Sequence, residues 1–134
     1  VVGLDLDGDA LATARANERR VAASAPVHWV RGDATRPPLD VTEPATVVMN
    51  PPFGARDGNR NADRAFLAVA SDLADVSYSV HNAGSREFVE AFAADEGGEV
   101  THAFAAEFRI DAQFDHHTDE SREIDTEVYR IEWS

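Results

Sequence analysis

The sequence contains no cysteine and no lysine, and each absence limits what the protein can be. Without cysteine the sequence offers neither a disulfide framework nor a thiolate zinc site. No apolar run approaches the roughly 20 residues that a membrane-spanning helix needs, so no such helix is predicted. The sequence also has no phosphate-binding glycine loop and no serine or cysteine nucleophile signature, so two common kinds of catalytic motif are missing.

All 12 basic residues are arginine, and 25 acidic residues give the 134-residue chain a net charge of −13. The acidic residues are spread along the chain, which argues against a disordered acidic tail. This dispersed charge predicts a protein of a salt-rich cytoplasm, where the Debye length falls to about 3 Å. An ordinary acidic protein with biased codon usage is the alternative. The length predicts one domain with a core of its own.

Apolar runs that alternate with helical patterns predict an α/β fold, with a parallel sheet and helices on both faces. The predicted elements are, in order, strand 1–5, helix 10–20, strand 27–30, strand 45–49, a helix from Asp63, strand 76–80 and a helix capped by Ser85. Two later segments, 100–110 and 125–133, alternate in polarity and predict an antiparallel pair at the edge of the sheet. In the first of them, Val100, His102 and Phe104 are predicted to share one face.

Three polar residues follow three successive predicted strands, namely Asp5, Asp33 and Asn50. Because ligands bind at the carboxyl ends of strands in such sheets, these residues are predicted to meet at one edge. Asp5 can accept the hydroxyls of a ribose, unless Asp5 or Asp7 only caps the next helix. Leu6 can pack on an adenine or fill the core. Asp33 can accept the amine of an adenine, or it can be a turn aspartate bonded to its own backbone.

The most specific pattern is Asn50-Pro51-Pro52-Phe53-Gly54, directly after the predicted strand 45–49. Proline lacks a backbone N–H and fixes φ at about −65°, and Pro51 also holds Asn50 in extended geometry. The run therefore presents an amide, bare carbonyl groups and an aromatic ring on a stiff platform. These groups can accept both N–H bonds of an exocyclic amine and stack on a planar base. A turn stiffened by proline is the alternative.

Basic and histidine residues near this motif have less specific interpretations. Arg56, Arg60 and Arg64 follow the motif and either contact phosphate or form a solvated helix start. His81, near the end of the strand predicted at 76–80, is placed to face the site. The remaining histidines, at 28, 102, 116 and 117, have no evident third ligand, so no metal site is predicted.

With these residues the chain resembles the archaeal and eukaryotic family of S-adenosylmethionine-dependent methyltransferases that act on N6 of an adenosine in small-subunit ribosomal RNA. The matching stretches are Gly3-Leu4-Asp5-Leu6-Asp7, Gly32-Asp33, the motif at 50–54, Tyr78-Ser79-Val80-His81 and the segment 124–133. The resemblance covers essentially the whole chain and implies a Rossmann-like class I methyltransferase sheet. Methyltransferases acting on guanine N2, DNA adenine or a glutamine amide share the Asn-Pro-Pro-aromatic logic and remain alternatives.

The resemblance implies roles for the matched residues. The catalytic motif would be Asn50, Pro51, Pro52 and Phe53, with the target amine held by Asn50 and the Pro51 carbonyl. S-adenosylmethionine would be bound by Asp5, Leu6, Asp33, Ala34 and Asn50. The substrate would be contacted by Phe53, Arg56, Arg60 and His81. The implied partners are RNA and a small zinc-binding activator protein that adds a strand to a sheet edge, for which 27–30 is the candidate.

This sequence departs from the family pattern at its beginning. The family normally has an earlier strand and a glycine-rich cofactor loop of the Asp-x-Gly-x-Gly kind, whereas residue 1 opens what would be the second strand. We therefore expect residues 1–134 to be the C-terminal portion of one methyltransferase domain. The absent strand would lie between the strands at 1–5 and 45–49. A non-catalytic domain that binds RNA or a protein is the alternative that this departure favours.

Residues 1–134 alone are expected to bind S-adenosylmethionine weakly or not at all, because the glycine-rich cradle for the methionine part of the cofactor is missing from them. Titration calorimetry of the 134-residue chain measures this directly. Tight binding by that chain would contradict the expectation.

Overall fold

The computed structural model describes residues 1–22, 24–52, 62–110 and 122–133, with 108–110 and 122–124 described by their backbone alone. These residues divide into two compact units, Val1–Asp40 and Val41–Ser134. The parallel sheet predicted from the sequence is present as two sheets in the described residues, one in each unit. None of the described helices is long and apolar enough to cross a membrane.

The first unit is a strand–helix–strand unit made of β1 (Val2–Asp5), α1 (Gly8–Val21) and β2 (His28–Arg31). β1 and β2 pair in parallel, with Gly3 opposite Trp29. A Cβ atom at Gly3 would lie 2.2 Å from the Trp29 ring, so only glycine leaves room for the indole. Glu18 of α1 accepts from the Trp29 Nε1–H at 2.7 Å and from the Val27 N–H at 2.9 Å. These two bonds fix α1 on β2 and lower the pKa of the Glu18 carboxyl.

The second unit contains the remaining elements, which are β3 (Thr46–Met49), α2 (Ala62–Leu73), β4 (Val76–Asn82), α3 (Arg86–Asp95), β5 (Gly98–Ile110) and β6 (Arg122–Trp133). Its sheet has the strand order β3-β4-β6-β5. β3 and β4 are parallel, whereas β4 and β6, and β5 and β6, are antiparallel. The predicted antiparallel closing pair is therefore confirmed.

The core of the second unit lies between one face of this sheet and the helices α2 and α3. Its buried members are Leu67, Ala70, Ala74, Val89, Phe92, Ala93, Tyr129, Ile131 and Trp133. The last three alternate along β6, as the sequence predicted, because successive strand residues point to opposite faces. The other face of the sheet carries Val48, which is 79% exposed, and Phe104, which is 52% exposed.

The predicted face of β5 is wrong at its first residue. The register shifts between Val100 and His102, so that Val100 lies opposite Ile131 while His102 lies opposite Arg130. This bulge reverses the side-chain alternation. Val100 therefore packs against the core. His102 and Phe104 lie on the other face, with their rings stacked at 6.1 Å between centroids.

The turn before α3 is held by a side chain from β6, and the predicted cap makes no cap bond. Ser85 occupies the cap position but makes no cap bond, and its hydroxyl donates to the Asn82 carbonyl at 2.7 Å. The Glu127 carboxylate accepts from the Gly84 N–H and from the hydroxyl of the buried Tyr129. The bond from Tyr129 lowers the pKa of Glu127. Burial, reinforced by the same bond, raises the pKa of Tyr129.

Glu127→Gln is expected to lower the free energy of unfolding at pH 7 by about 1–2 kcal/mol, because a neutral amide accepts hydrogen bonds more weakly than a carboxylate. The folded-state pKa of Glu127 is lowered from an unfolded value of about 4.3. The carboxylate's contribution is therefore present above that pH and is lost as the pH falls through the folded pKa.

Urea unfolding of the full-length protein at neutral and acid pH measures the effect of Glu127→Gln. The difference between wild type and variant should shrink in acid. Glu99→Gln is the matched control, since Glu99 is an exposed β5 residue that makes no side-chain hydrogen bond among the described residues. An undiminished difference at acid pH, or an equal loss in the control, would contradict the assignment.

Candidate functional site

The first group of candidate residues lies where β1 and β2 end in the first unit. Asp5 is the last paired residue of β1 and lies opposite Arg31. The Gly32 N–H donates to the Asp5 carbonyl at 3.0 Å, and Asp33 follows directly. Since β1 and β2 are parallel, Asp5 and Asp33 lie at the carboxyl ends of neighbouring strands, as predicted for these two residues.

Two successive hydrogen bonds from backbone N–H groups to aspartate side chains shape the turn between β1 and α1. The Asp5 Oδ1 atom accepts from the Asp7 N–H at 2.8 Å, and the Asp7 Oδ1 atom accepts from the Asp9 N–H at 2.9 Å. Asp7 is therefore the cap of α1. Asp5 is not a helix cap, and no hydrogen bond to its second oxygen is found among the described residues. One oxygen of an exposed carboxylate thus remains available for a ligand at the strand end.

Leu6 projects into solvent beside this carboxylate. Its side chain is 66% exposed, so the alternative that Leu6 fills the core is wrong. An isolated exposed leucine is common on protein surfaces. Its position between Asp5 and the α1 cap nevertheless places an apolar side chain where the ring of a bound nucleoside could rest.

Asp33 forms the turn bonds to its own backbone that were one of the two interpretations of this residue. Its Oδ1 atom accepts from the Thr35 hydroxyl at 2.6 Å and from the Thr35 N–H at 2.8 Å. Both bonds lower the pKa of Asp33, which keeps this exposed carboxyl ionised near neutral pH. The turn bonds use a single oxygen, so they are compatible with a ligand contact at the other. Ala34, next to it, is half-buried.

The second group of candidates begins at the end of β3, in the second unit. Met49 is the last paired residue of β3 and lies opposite Ser79 of β4. Asn50 follows directly and is exposed, Pro51 is buried, and Pro52 is exposed again. Burial of Pro51 anchors the motif, while the exposed Asn50 amide makes no hydrogen bond within the described part of the chain. The predicted residues Phe53, Arg56 and Arg60 lie outside the described residues.

His81 lies inside the sheet rather than on its surface. Its side chain is completely buried in β4. The Nδ1 atom is 3.1 Å from the Asp63 Oδ2 atom, and the Nε2 atom is 2.7 Å from the Ser79 Oγ atom. Both ring nitrogens are thus used within the protein, so contact with RNA would require these bonds to open. The ring also packs against Tyr129, at 5.8 Å between centroids.

Arg64 shows that one member of the predicted arginine cluster has a structural contact. Its guanidinium carbon lies 5.3 Å from the centroid of the Phe92 ring, a cation–π contact between α2 and α3.

Among the described residues, no group of three or more histidine, aspartate or glutamate side chains is arranged to hold a metal ion.

Sequence reasoning missed the polar residues that surround His81. The sequence pattern indicates Asp63 only as a helix start and Ser79 only as part of the family match. The signal was present in β4, where Ser77, Ser79 and His81 occupy alternate positions and all three are buried. A polar residue at every second position of an otherwise apolar strand indicates either a solvated face or a buried hydrogen-bonded row. Only the packing of α2 and β6 decides between them.

Comparison with known proteins gives this arrangement a family. A family model described as UPF0020: RMKL-like, methyltransferase domain matches residues 1–108. The rRNA N(6)-adenosine-methyltransferase Mettl5 of Drosophila melanogaster is 35% identical over 98% of this chain and 62% of its own length. An uncharacterized protein of Methanocaldococcus jannaschii is 41% identical over 64% of this chain and 38% of its own length.

Solved structures show the same fold. A crystal structure from Pyrococcus horikoshii, provisionally described as an RNA methyltransferase, has a TM-score of 0.78 and 29% identity over 98% of this chain and 62% of that one. The predicted methyltransferase-type α/β fold is thereby confirmed. The chain spans less than two thirds of the length of each of these relatives. Since the family model extends from β1 into β5, the chain belongs to the RMKL-like methyltransferase domain family.

Proposed function

We propose that the full-length protein is an S-adenosylmethionine-dependent methyltransferase that transfers a methyl group to the N6 amine of an adenosine in RNA. The observation that carries the proposal is the exposed Asn50 amide at the end of β3, followed by the buried Pro51. The 35% identity with the Drosophila rRNA N(6)-adenosine-methyltransferase, over 98% of this chain, supports adenosine in rRNA as the target, and the family resemblance points to the small subunit.

The chemistry of the motif follows from its backbone. Pro51 restricts Asn50 to extended geometry, so the amide stands at a fixed direction from the strand end. The Asn50 side-chain oxygen and the Pro51 carbonyl can each accept one N–H of the target amine. Two such bonds raise the nucleophilicity of the nitrogen and direct its lone pair toward the methyl donor. The protein then mainly orients the reacting groups, and no strong base is needed.

The residues of the first unit fit the cofactor that this chemistry needs. S-adenosylmethionine supplies an activated methyl group on a sulfonium. The free oxygen of Asp5 suits a ribose hydroxyl, and the exposed Leu6 suits an adenine face. Asp33, ionised and exposed, suits the adenine amine, with Ala34 beside it.

RNA recognition would rely on stacking more than on phosphate contacts. With a net charge of −13 the protein gains little from counterion release, and that gain falls further as salt rises. We assign Phe53 to stack on the unstacked target adenine, and Arg56 and Arg60 to the flanking phosphates. The acidic composition supports work in a high-salt cytoplasm. Guanine N2, DNA adenine and a glutamine amide are the competing acceptors, because the amide motif itself does not distinguish among them.

The outer edge of β2 suits the proposed activator protein. The amides of His28 and Gly32 donate toward β1, at 2.9 Å and 3.0 Å, so the backbone groups of Trp29 and Arg31 face the opposite edge. No strand pairs with that edge among the described residues. A small zinc-binding protein can add a strand there by main-chain hydrogen bonds.

Asp5→Asn is expected to weaken the binding of S-adenosylmethionine to the full-length protein about tenfold or more, because a charged acceptor of the ribose becomes neutral. Asp7→Asn is the matched control: it removes the same charge two residues away, and asparagine caps a helix as well as aspartate does. Calorimetry on both variants separates the two roles. Equal affinities would show that Asp5 does not contact the cofactor.

Asn50→Ala is expected to lower kcat about 100-fold or more while leaving cofactor affinity within a few-fold, because the acceptor that orients the amine is lost. Asn50→Asp keeps an acceptor oxygen and should retain more activity than the alanine variant. The exposed Asn17→Ala on α1 is the control for the loss of an asparagine side chain. Methyl transfer to small-subunit rRNA at high salt is the measurement, and full activity of Asn50→Ala would refute the mechanism.

A further inference from the structure

The buried His81 is tied to a residue that is distant in sequence. Its Nδ1 atom lies 3.1 Å from the Oδ2 atom of Asp63, in the first turn of α2, and the two residues are 18 positions apart. The Asp63 side chain is 15% exposed, and that of His81 is completely buried. The Nε2 atom lies 2.7 Å from the Ser79 Oγ atom, so both ring nitrogens have a hydrogen-bond partner.

This contact lies beside the strand that carries the amide motif. Met49, the residue before Asn50, is paired with Ser79. Continuing that parallel register brings Asn50 level with Val80 and the buried Pro51 level with His81. The Asp63–His81 contact thus joins the beginning of α2 to the part of β4 that lies next to Asn50 and Pro51.

The second oxygen of Asp63 argues that this contact does more than hold the core together. Asp63 Oδ1 is buried and has no hydrogen-bond partner among the described residues. A buried carboxylate oxygen without a partner is destabilising, so stability alone does not explain why an aspartate stands at this position. Replacing a buried polar pair by apolar residues of the same volume is often neutral or stabilising, so the contact is not required for stability in general.

We propose that Asp63 and His81 are positioning residues for Asn50, an inference that rests on the proposed function. By joining the start of α2 to β4, the pair holds in place the end of β4 that lies next to Asn50 and Pro51. Asp63 and His81 touch neither reactant; they set the direction in which the Asn50 amide meets the target amine. A small displacement of such a group is enough to lower kcat without changing how the cofactor binds.

Two substitutions of His81 separate its two contacts. The amide nitrogen of an asparagine lies near the position of the histidine Nδ1 atom, so His81→Asn can still donate to Asp63. The amide of a glutamine reaches the position of Nε2, so His81→Gln can still bond Ser79 but loses Asp63. Ser79→Ala removes the Nε2 contact and leaves the Asp63 contact in place. Asp63→Ala breaks the pair from the less buried side, in case the histidine variants do not fold.

Methyl transfer by the full-length protein to small-subunit rRNA is the test, with kcat and the KM for S-adenosylmethionine measured separately. His81→Gln and Asp63→Ala should each lower kcat about 10- to 100-fold with KM unchanged, and the double variant should lose no more than either alone. His81→Asn and Ser79→Ala should stay within a few-fold of wild type. Amide exchange in the first turn of α2, residues 62–66, should accelerate only in the first two variants.

Two results would overturn the proposal. One is wild-type kcat in folded His81→Gln or Asp63→Ala. The other is a loss of kcat that follows thermal stability across all the variants, whether or not the Asp63 contact is kept, since that would show a purely structural role. Asn50→Ala measured in parallel separates this proposal from the proposed function. If Asn50→Ala is active, the proposed function fails; if it is inactive while Asp63→Ala is active, only the positioning role fails.

Discussion

The parallel register between β3 and β4 is the constraint on which the amide motif depends. Asp75 sets its beginning, since its N–H donates to the Ala45 carbonyl at 2.9 Å and its carboxylate accepts from the Ala45 N–H at 2.9 Å. The pairing then runs to Met49 opposite Ser79. A slip of one residue would reverse the faces of β3 and turn Pro51 outward. The exposure of Asn50 is therefore a consequence of how the strand begins.

A row of buried polar side chains in β4 connects this register to the rest of the second unit. Ser77 accepts from the Trp133 indole at 2.9 Å, and Ser79 and His81 bond each other at 2.7 Å. Each of these bonds requires a particular position of β6 or β4, so the row selects one packing arrangement where apolar residues would permit several. His81 extends the row to Asp63 and hence to α2. The row of buried polar side chains thus extends from the core to the end of β4, next to the amide motif.

Local chemistry explains what could be predicted from the sequence, and contacts between distant residues explain what could not. Alternation predicted the buried face of β6, and proline stereochemistry predicted that Asn50 stands at a rigid strand end. The bulge between Val100 and His102 was not predictable, because it arises from pairing with β6. The bond from Glu127 to the turn before α3 and the contact of His81 with Asp63 likewise depend on tertiary packing, which no local pattern encodes. The exposure of Leu6, on the short turn between β1 and α1, was also not predictable, because the sequence allowed it either to fill the core or to face a ligand.

We propose that this family member methylates adenosine N6 in RNA, with the amine held by Asn50 and Pro51. The most direct measurement is mass spectrometry of nucleosides from small-subunit rRNA after incubation with the full-length protein and methyl-labelled S-adenosylmethionine at high salt, with and without a small zinc-binding protein as the proposed activator. The account predicts labelled N6-methyladenosine at a defined position. Labelled N2-methylguanosine, or no labelled nucleoside from a folded protein that binds the cofactor and its activator, would contradict it.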